Sequence, residues 1–194
     1  MSIYTEEQDD VQFSEPILAQ KGVQLKVAFV EKTSWKNKID GQAYDACKLT
    51  LTIAEPSSVR TEHADAKPKL TIEDQFNIVS YPYTDKKTGE KKSLGRTKLY
   101  QLEQAFGFDP VFKVNGQVVA PFVTKAGNKV APKIEGVKRS LNPDFFDAYF
   151  DGSGSPRVDN FVDKIIYADI EVERSEQYGN KNVIARYVKE PVTV

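Results

Sequence analysis

Cationic side chains set beside aromatic rings are the one recurring combination in this chain that could do chemistry. Trp35, Lys36, Lys38 and Tyr44 share one polar stretch. Tyr81, Tyr83, Lys86, Lys87, Lys91, Lys92, Arg96 and Lys98 share a second, where six bases fall within thirteen residues and only Glu90 opposes them. Tyr178 and Lys181 share a third. A flat ring offers a face on which a nucleobase stacks, and a nearby cation meets the phosphate. Single-strand binders combine the two, each stack contributing ~1–3 kcal/mol. Taken singly, each group has a plainer reading. A lysine run around Thr88-Gly89 is a solvated turn, a sole tryptophan is core, and Tyr81-Pro82-Tyr83 is packing. Three separate polar loops with the same pairing make nucleic-acid binding the leading expectation.

Catalytic constellations are scarce. The sequence holds no phosphate-cradling glycine loop, no nucleophile elbow and no His-Glu-x-x-His zinc pair. With His63 the single histidine and Cys47 the single cysteine, a metal cluster and a Cys–His couple are both disfavoured. Cys47 falls within an alternating strand pattern, where a small buried hydrophobe is the expected role. His63 sits in a polar stretch and reads as a solvated loop residue. Asp144, Asp147 and Asp151 have the residue type of a two-metal site but lie between aromatics, so a solvated helix face is expected. The expectation is a protein that is not an enzyme and needs no metal or cofactor.

The elements that must position these groups are mostly strands. Val23, Leu25, Val27 and Phe29 alternate along Gly22–Val30, and Cys47, Leu49, Leu51 and Ile53 alternate after a long polar loop, which together predict a hairpin. Pro56 ends the second strand, and Leu70–Ser80 reads as extended. Leu99, Leu102 and Phe106 at spacings of three and four, closed by Gly107, predict a short amphipathic helix. Asn115-Gly116 between apolar runs is a strong hairpin signal, and Gly127-Asn128 suggests a second ribbon from Phe122 to Val130. Asn142-Pro143-Asp144 opens a helix whose stripe is Phe145, Phe146, Tyr149 and Phe150. A Gly-Ser link, Asp151–Pro156, follows it. Near the end, Ile166, Ala168, Ile170 and Val172 alternate with Tyr167, Asp169, Glu171 and Glu173. After Gly179-Asn180 comes Asn182–Val188, so the chain closes on a hairpin. Such a hairpin is marginal alone and must lie against an existing sheet.

Charge and length bound the rest. The 194 residues carry a net −1, but residues 32–139 hold 19 Lys/Arg against 12 Asp/Glu. A basic centre between acidic flanks is compatible with a polyanion partner, because local potential governs encounter. Met1–Glu15 holds five acids and no base and is expected to be a flexible acidic arm. Residues 16–194 are expected to form one domain with an insertion at about 111–156. A single cysteine excludes an intramolecular disulfide framework. No apolar run approaches the ~20 residues of a membrane span. A soluble, cytosolic protein is expected.

The order of a Gly-Val-led strand, a lysine-rich loop and an alternating strand is one half of a resemblance. The other half is Lys98-Leu99-x-x-Leu102 with Phe106-Gly107-Phe108, then strand–Tyr178-Gly179-Asn180-Lys181-Asn182–strand–Lys189-Glu190-Pro191. Over about half its length the chain resembles small bacteriophage single-stranded-DNA-binding proteins, from which residues 111–156 and the absent acidic closing tail depart. The resemblance implies a mainly-β fold, a partly open five-stranded barrel of the oligonucleotide-binding type interrupted by a short helix, to which the residues read above add a β-ribbon insertion and a second short helix. It implies coating of single-stranded DNA in replication or recombination, in the cytoplasm of an infected bacterium. Trp35, Tyr44, Tyr81, Tyr83 and Tyr178 would meet bases, and the lysines and Arg96 named above would hold phosphates. Self-association through residues 111–150 is a further expectation. The rival reading is a structural phage protein, a virion or tail adaptor, with the ribbon and aromatic helix as subunit contacts.

Overall fold

The computed structural model describes residues 14–85, 87–89, 91–177 and 179–190, with the backbone alone for Tyr83 and residues 91–94. The chain is mainly β. The first half runs β1 (Ser14–Glu15), β2 (Gln20–Lys36), β3 (Ala43–Ile53), β4 (Lys67–Pro68), β5 (Thr71–Asn77), β6 (Tyr81–Thr84) and β7 (Lys91–Leu94) into helix α1 (Thr97–Ala105). Then come β8 (Val111–Val114), β9 (Gln117–Val119), β10 (Phe122–Val123), β11 (Lys129–Val130), β12 (Lys138–Ser140), α2 (Pro143–Tyr149) and α3 (Val158–Phe161). The chain closes on β13 (Ile165–Glu173) and β14 (Lys181–Val188).

The main sheet is antiparallel, in the order β14-β13-β2-β3-β5. Its first four strands in sequence, β2, β3, β5 and β13, therefore have the spatial order 4-1-2-3 of a Greek key. Alternation places Val23, Leu25, Val27, Leu49, Leu51, Ile72, Phe76, Ile166, Ala168 and Ile170 on one buried face. The strands expected at Gly22–Val30 and Cys47–Ile53 both form, with one departure. Val27 pairs with Leu51 and Phe29 with Thr50, so Ala28 is an extra residue and a bulge interrupts β2. The bulge turns Phe29 outward, 48% exposed, and puts Val30 in its place at 0%.

A partly open barrel was expected; the sheets are antiparallel, and among the described residues none closes on itself through backbone hydrogen bonds. Side chains and α1 bridge the two edges instead. The Tyr187 hydroxyl on β14 donates to Asp74 Oδ2 on β5 at 2.8 Å, and Lys98 of α1 pairs with the other Asp74 oxygen. The Tyr187 backbone N–H donates to Gln101 of α1. Burial, followed by the Asp74 charge, holds the Tyr187 phenol well above the usual tyrosine range.

The helices cover the buried face. In α1, Leu99 and Leu102 are fully buried, and Gly107 follows with φ +87°, a left-handed backbone that glycine adopts without penalty. Asn142 caps α2 by accepting from the Asp144 N–H at 2.9 Å, with Pro143 at the first helical position. Its stripe is not spare surface. Phe145, Tyr149 and Phe150 are 0%, 7% and 1% exposed and interlock with Phe106, Phe161 and Phe76. Burying three of the four rings of this stripe is possible because Phe106 after α1, Phe161 of α3 and Phe76 of the sheet supply ring partners.

The insertion does form the two ribbons read from sequence. Asn115 and Gly116 both have positive φ at the β8–β9 turn, as a primed hairpin turn requires. One ion pair ties the insertion to α1. Glu103, 0% exposed, accepts from Arg139 on β12 and, through Oε2, from the Asn142 N–H at 2.8 Å. The Arg139 guanidinium lies 4.7 Å from the Tyr100 ring centroid. Val118, Phe122, Val123, Val130 and Ile134 remain exposed on the ribbons.

The acidic arm is docked at its last two residues. Ser14 and Glu15 pair in parallel with Lys67 and Pro68, and Glu15 meets the His63 ring at 2.7 Å. Residues 1–13 lie outside the described residues. Just beyond, the Ile17 backbone exchanges two 2.8 Å hydrogen bonds with the buried Asn182 side chain. No helix is long and apolar enough to cross a membrane among the described residues.

Candidate functional site

The β2–β3 hairpin projects beyond the sheet. β13 pairs with β2 only from Gln20 to Lys26, while β3 follows β2 to Lys36. At the far end Trp35 and Tyr44 are register partners, so their side chains share a face. The ribbon β6–β7 folds back onto that face and brings Tyr81 with it. Trp35 and Tyr81 meet edge-on with centroids 4.8 Å apart, and Tyr44 lies 5.8 Å from each. The Trp35 indole N–H donates to Asn77 Oδ1 at the end of β5.

All three rings remain half-buried, each with part of its surface open to solvent. Beneath them Ala46 is fully buried although it lies on the outer side of β3. Gly95 supports the arrangement from behind. Its φ is +116°, and a Cβ there would stand 2.8 Å from two Tyr81 ring carbons. Only glycine fits.

The hairpin tip is locked by Asn37, which is 3% exposed. Its Oδ1 accepts from the Ile39 N–H at 2.9 Å, and its amide reaches the Pro82 carbonyl at 3.4 Å. Lys36 and Lys38 flank it and are exposed. One acid sits among them. The Tyr44 hydroxyl donates to Asp40 Oδ2 at 2.5 Å, which lowers the Asp40 carboxyl pKa and pushes the Tyr44 phenol up to about 12. Lys87, beyond the tip of β6, is exposed, and its N–H donates to Asp85.

The remaining sequence candidates divide. Arg96 is half-buried, and its Nε donates to the Ile78 carbonyl at 3.0 Å, which anchors the start of α1. Lys98 is engaged with Asp74, which is 8% exposed, so its ammonium helps to bridge the sheet edges. Lys181 pairs with Glu173 across β13–β14 at 2.9 Å, on the surface. That turn is remote from the rings. Ile170 of β13 stands opposite Gln20, fifteen residues before Trp35 on β2, so the β13–β14 turn and the hairpin tip lie toward opposite ends of β2. Lys86, Tyr178 and the side chains of Tyr83, Lys91 and Lys92 lie outside the described residues. The structure therefore brings together Trp35, Tyr44, Tyr81, Lys36 and Lys38, and separates Lys181 from them.

Asn77 and Gly95 belong to this neighbourhood, and Phe29 lies on the same outer face farther along β2; none of the three was among the site residues singled out from sequence. Asn77 ends a strand and Gly95 precedes a helix, so both read as punctuation. Phe29 read as core because nothing in the alternation marks the bulge.

Two groups that could support catalysis, Cys47 and Asp151, are each accounted for by the fold. Burial pushes the Cys47 thiol up to about 12, so at neutral pH it is a protonated, inert thiol. Asp151 accepts from the Ser153 hydroxyl and from the N–H groups of Ser153 and Ser155, which lowers its pKa and closes its own turn. Among the described residues, no group of three or more His, Cys, Asp or Glu is placed to hold a metal ion. Compared with known proteins, the chain matches no family model, no curated protein and no solved structure.

Proposed function

We propose that this protein is a non-catalytic single-stranded-DNA-binding protein that coats strands in replication or recombination. Its scaffold is read as a barrel of the oligonucleotide-binding type left open between β14 and β5. The Greek-key order β13-β2-β3-β5, with β14 added to the edge, supports that reading. So does the bridging of the two edges by α1 and Tyr187.

The observation that carries the function is the convergence of Trp35, Tyr44 and Tyr81 at one hairpin tip, with Lys36 and Lys38 exposed beside them. Rings from two loops distant in sequence meet on one face, and Lys36 and Lys38 are exposed at the same hairpin tip; a stacking platform with cations close by is what single-strand binding needs. Lys87, exposed beyond the tip of β6, adds a further cation on the second loop. Arg96 and Lys98 contribute less, being committed to Ile78 and Asp74. As a phage strand binder it would act in the cytoplasm of an infected bacterium.

A structural phage role is the second reading. The exposed ribbon residues favour it, Val118 at 69% and Phe122 at 58% above all, since apolar surface of that kind suits a subunit contact. Self-association along a strand would use the same ribbons.

A gel shift decides between them. The strand-binding reading expects retardation of a single-stranded oligonucleotide, weak retardation of the matching duplex, and no cleavage with or without divalent metal. Absence of any shift at low salt favours the structural role, and metal-dependent cleavage would point to an enzyme.

A further inference from the structure

The outer face of β2, β3 and β5 can be followed row by row from the strand register. Beyond the bulge, Phe29, Glu31, Thr33 and Trp35 alternate onto that face, opposite Thr50, Lys48, Ala46 and Tyr44. Their neighbours on β5 are Glu73, Gln75 and Asn77. Two aromatic stations thus stand on one surface. The cluster of Trp35, Tyr44 and Tyr81 is at the tip, and Phe29 stands alone near the middle, six residues away, about 20 Å at the rise of a strand.

Phe29 is outward because of a specific backbone device. Unbroken alternation after Val27 would bury it, and the extra residue Ala28 re-aims it while returning Val30 to the core. Bulges of this kind redirect side chains next to functional sites. On the β3 and β5 side the surroundings of Phe29 are polar, with Thr50, Glu73 and the Lys48–Glu73 pair at 2.8 Å. An exposed ring beside hydrogen-bonding side chains suits the face of a base, which carries polar edges as well as a flat surface.

We propose that Phe29 is a second base-stacking platform, and that a nucleic-acid strand runs along the outer face from the hairpin tip to the middle of β2. The proposal rests on the strand-binding reading above. Glu31 and Glu73 flank the path, so this station holds the strand through a base and not through a phosphate. Its loss should lower affinity without changing the salt dependence, whereas losing Lys36 or Lys38 should flatten that dependence.

The test compares wild type, Phe29→Ala and Phe29→Tyr, using oligo-dT of roughly four and roughly twelve nucleotides. About six nucleotides span 20 Å at the 3.4 Å spacing of a stacked strand, so only the longer probe reaches both stations. Phe29→Ala should weaken the longer probe at least about fivefold, the lower end for one stack. It should leave the shorter probe, the salt slope, the melting temperature and the sedimentation coefficient unchanged, and Phe29→Tyr should restore binding. Wild-type affinity in Phe29→Ala overturns this inference while leaving the strand-binding reading intact. So does a change of sedimentation coefficient with unaltered affinity, which would make Phe29 a subunit contact. Failure of the wild type to bind either probe overturns both.

Discussion

The Trp35 indole stands edge-on to the Tyr81 ring, 4.8 Å between centroids, and so joins two segments forty-six positions apart in sequence. The contact both holds the β6–β7 ribbon against the long hairpin and forms the surface assigned to bases. Stability and binding are therefore coupled at this point, as an isolated loop tryptophan would not allow. Trp35→Ala is expected to lower the melting temperature by a few degrees and also to weaken oligonucleotide binding per folded molecule. Thermal denaturation with a binding isotherm on the same preparation checks both.

Gly95 gives a way to perturb Tyr81 without removing a ring. At φ +116° and with Tyr81 in the way, alanine is strained by backbone and by contact. Gly95→Ala should displace the β6–β7 ribbon while leaving the main sheet folded. Far-ultraviolet circular dichroism should be retained, and the Trp35 emission should shift as its edge-on partner leaves.

Most of the β scaffold was legible because its signals are local. Alternation places Val23, Leu25 and Val27, and Asn-Gly marks the β8–β9 turn. Asn142-Pro143 marks the start of α2. What could not be read depends on register or on partners remote in sequence. The bulge at Ala28 inverts the side of Phe29, and no residue type announces it. Lys98 reads as a phosphate ligand until Asp74 is placed beside it. The stripe of α2 looks too apolar for a short helix until Phe76, Phe106 and Phe161 surround it. At the site, the grouping of Trp35, Lys36, Lys38 and Tyr44 was visible within one loop. Its junction with Tyr81 and its distance from Lys181 were not.

The aromatic helix provides a test of core membership. Phe150→Ser removes a ring that is 1% exposed and leaves a hydroxyl in its place. A loss on the order of 3–5 kcal/mol is expected, the range for deleting a buried aromatic. Denaturant unfolding should give a lower midpoint or no cooperative transition. Retention of full stability would mean that the helix packs elsewhere.

Arg139 and Glu103 form a buried pair whose members are not equivalent on removal. Arg139→Met strands the fully buried Glu103 carboxylate, which should cost about 3–5 kcal/mol. The double variant Glu103→Gln with Arg139→Met should recover part of that loss. A double-mutant cycle by urea unfolding measures the recovery.

His63 reports on the docking of the arm, and as the single histidine its resonance is unambiguous. The hydrogen bond to Glu15 raises its pKa above the usual histidine value of about 6.5. A raised folded-state pKa means the stabilisation is fully present below about pH 6.5 and is lost as pH rises through the folded value. Glu15→Gln should move the titration midpoint downward in a proton-resonance experiment. An unchanged midpoint would show that the Glu15 contact is not populated in solution.

The central claim, that the hairpin tip binds single-stranded nucleic acid by stacking and charge, is tested most directly by Trp35 fluorescence. The chain has one tryptophan, so the signal comes from the site itself. Titration with oligo-dT at several salt concentrations should quench the emission saturably. The logarithm of affinity should fall linearly with that of salt, by about 0.7 for each phosphate neutralised, and duplex of the same length should quench weakly. Emission unmoved by oligo-dT at low salt, or equal quenching by duplex, would contradict the account.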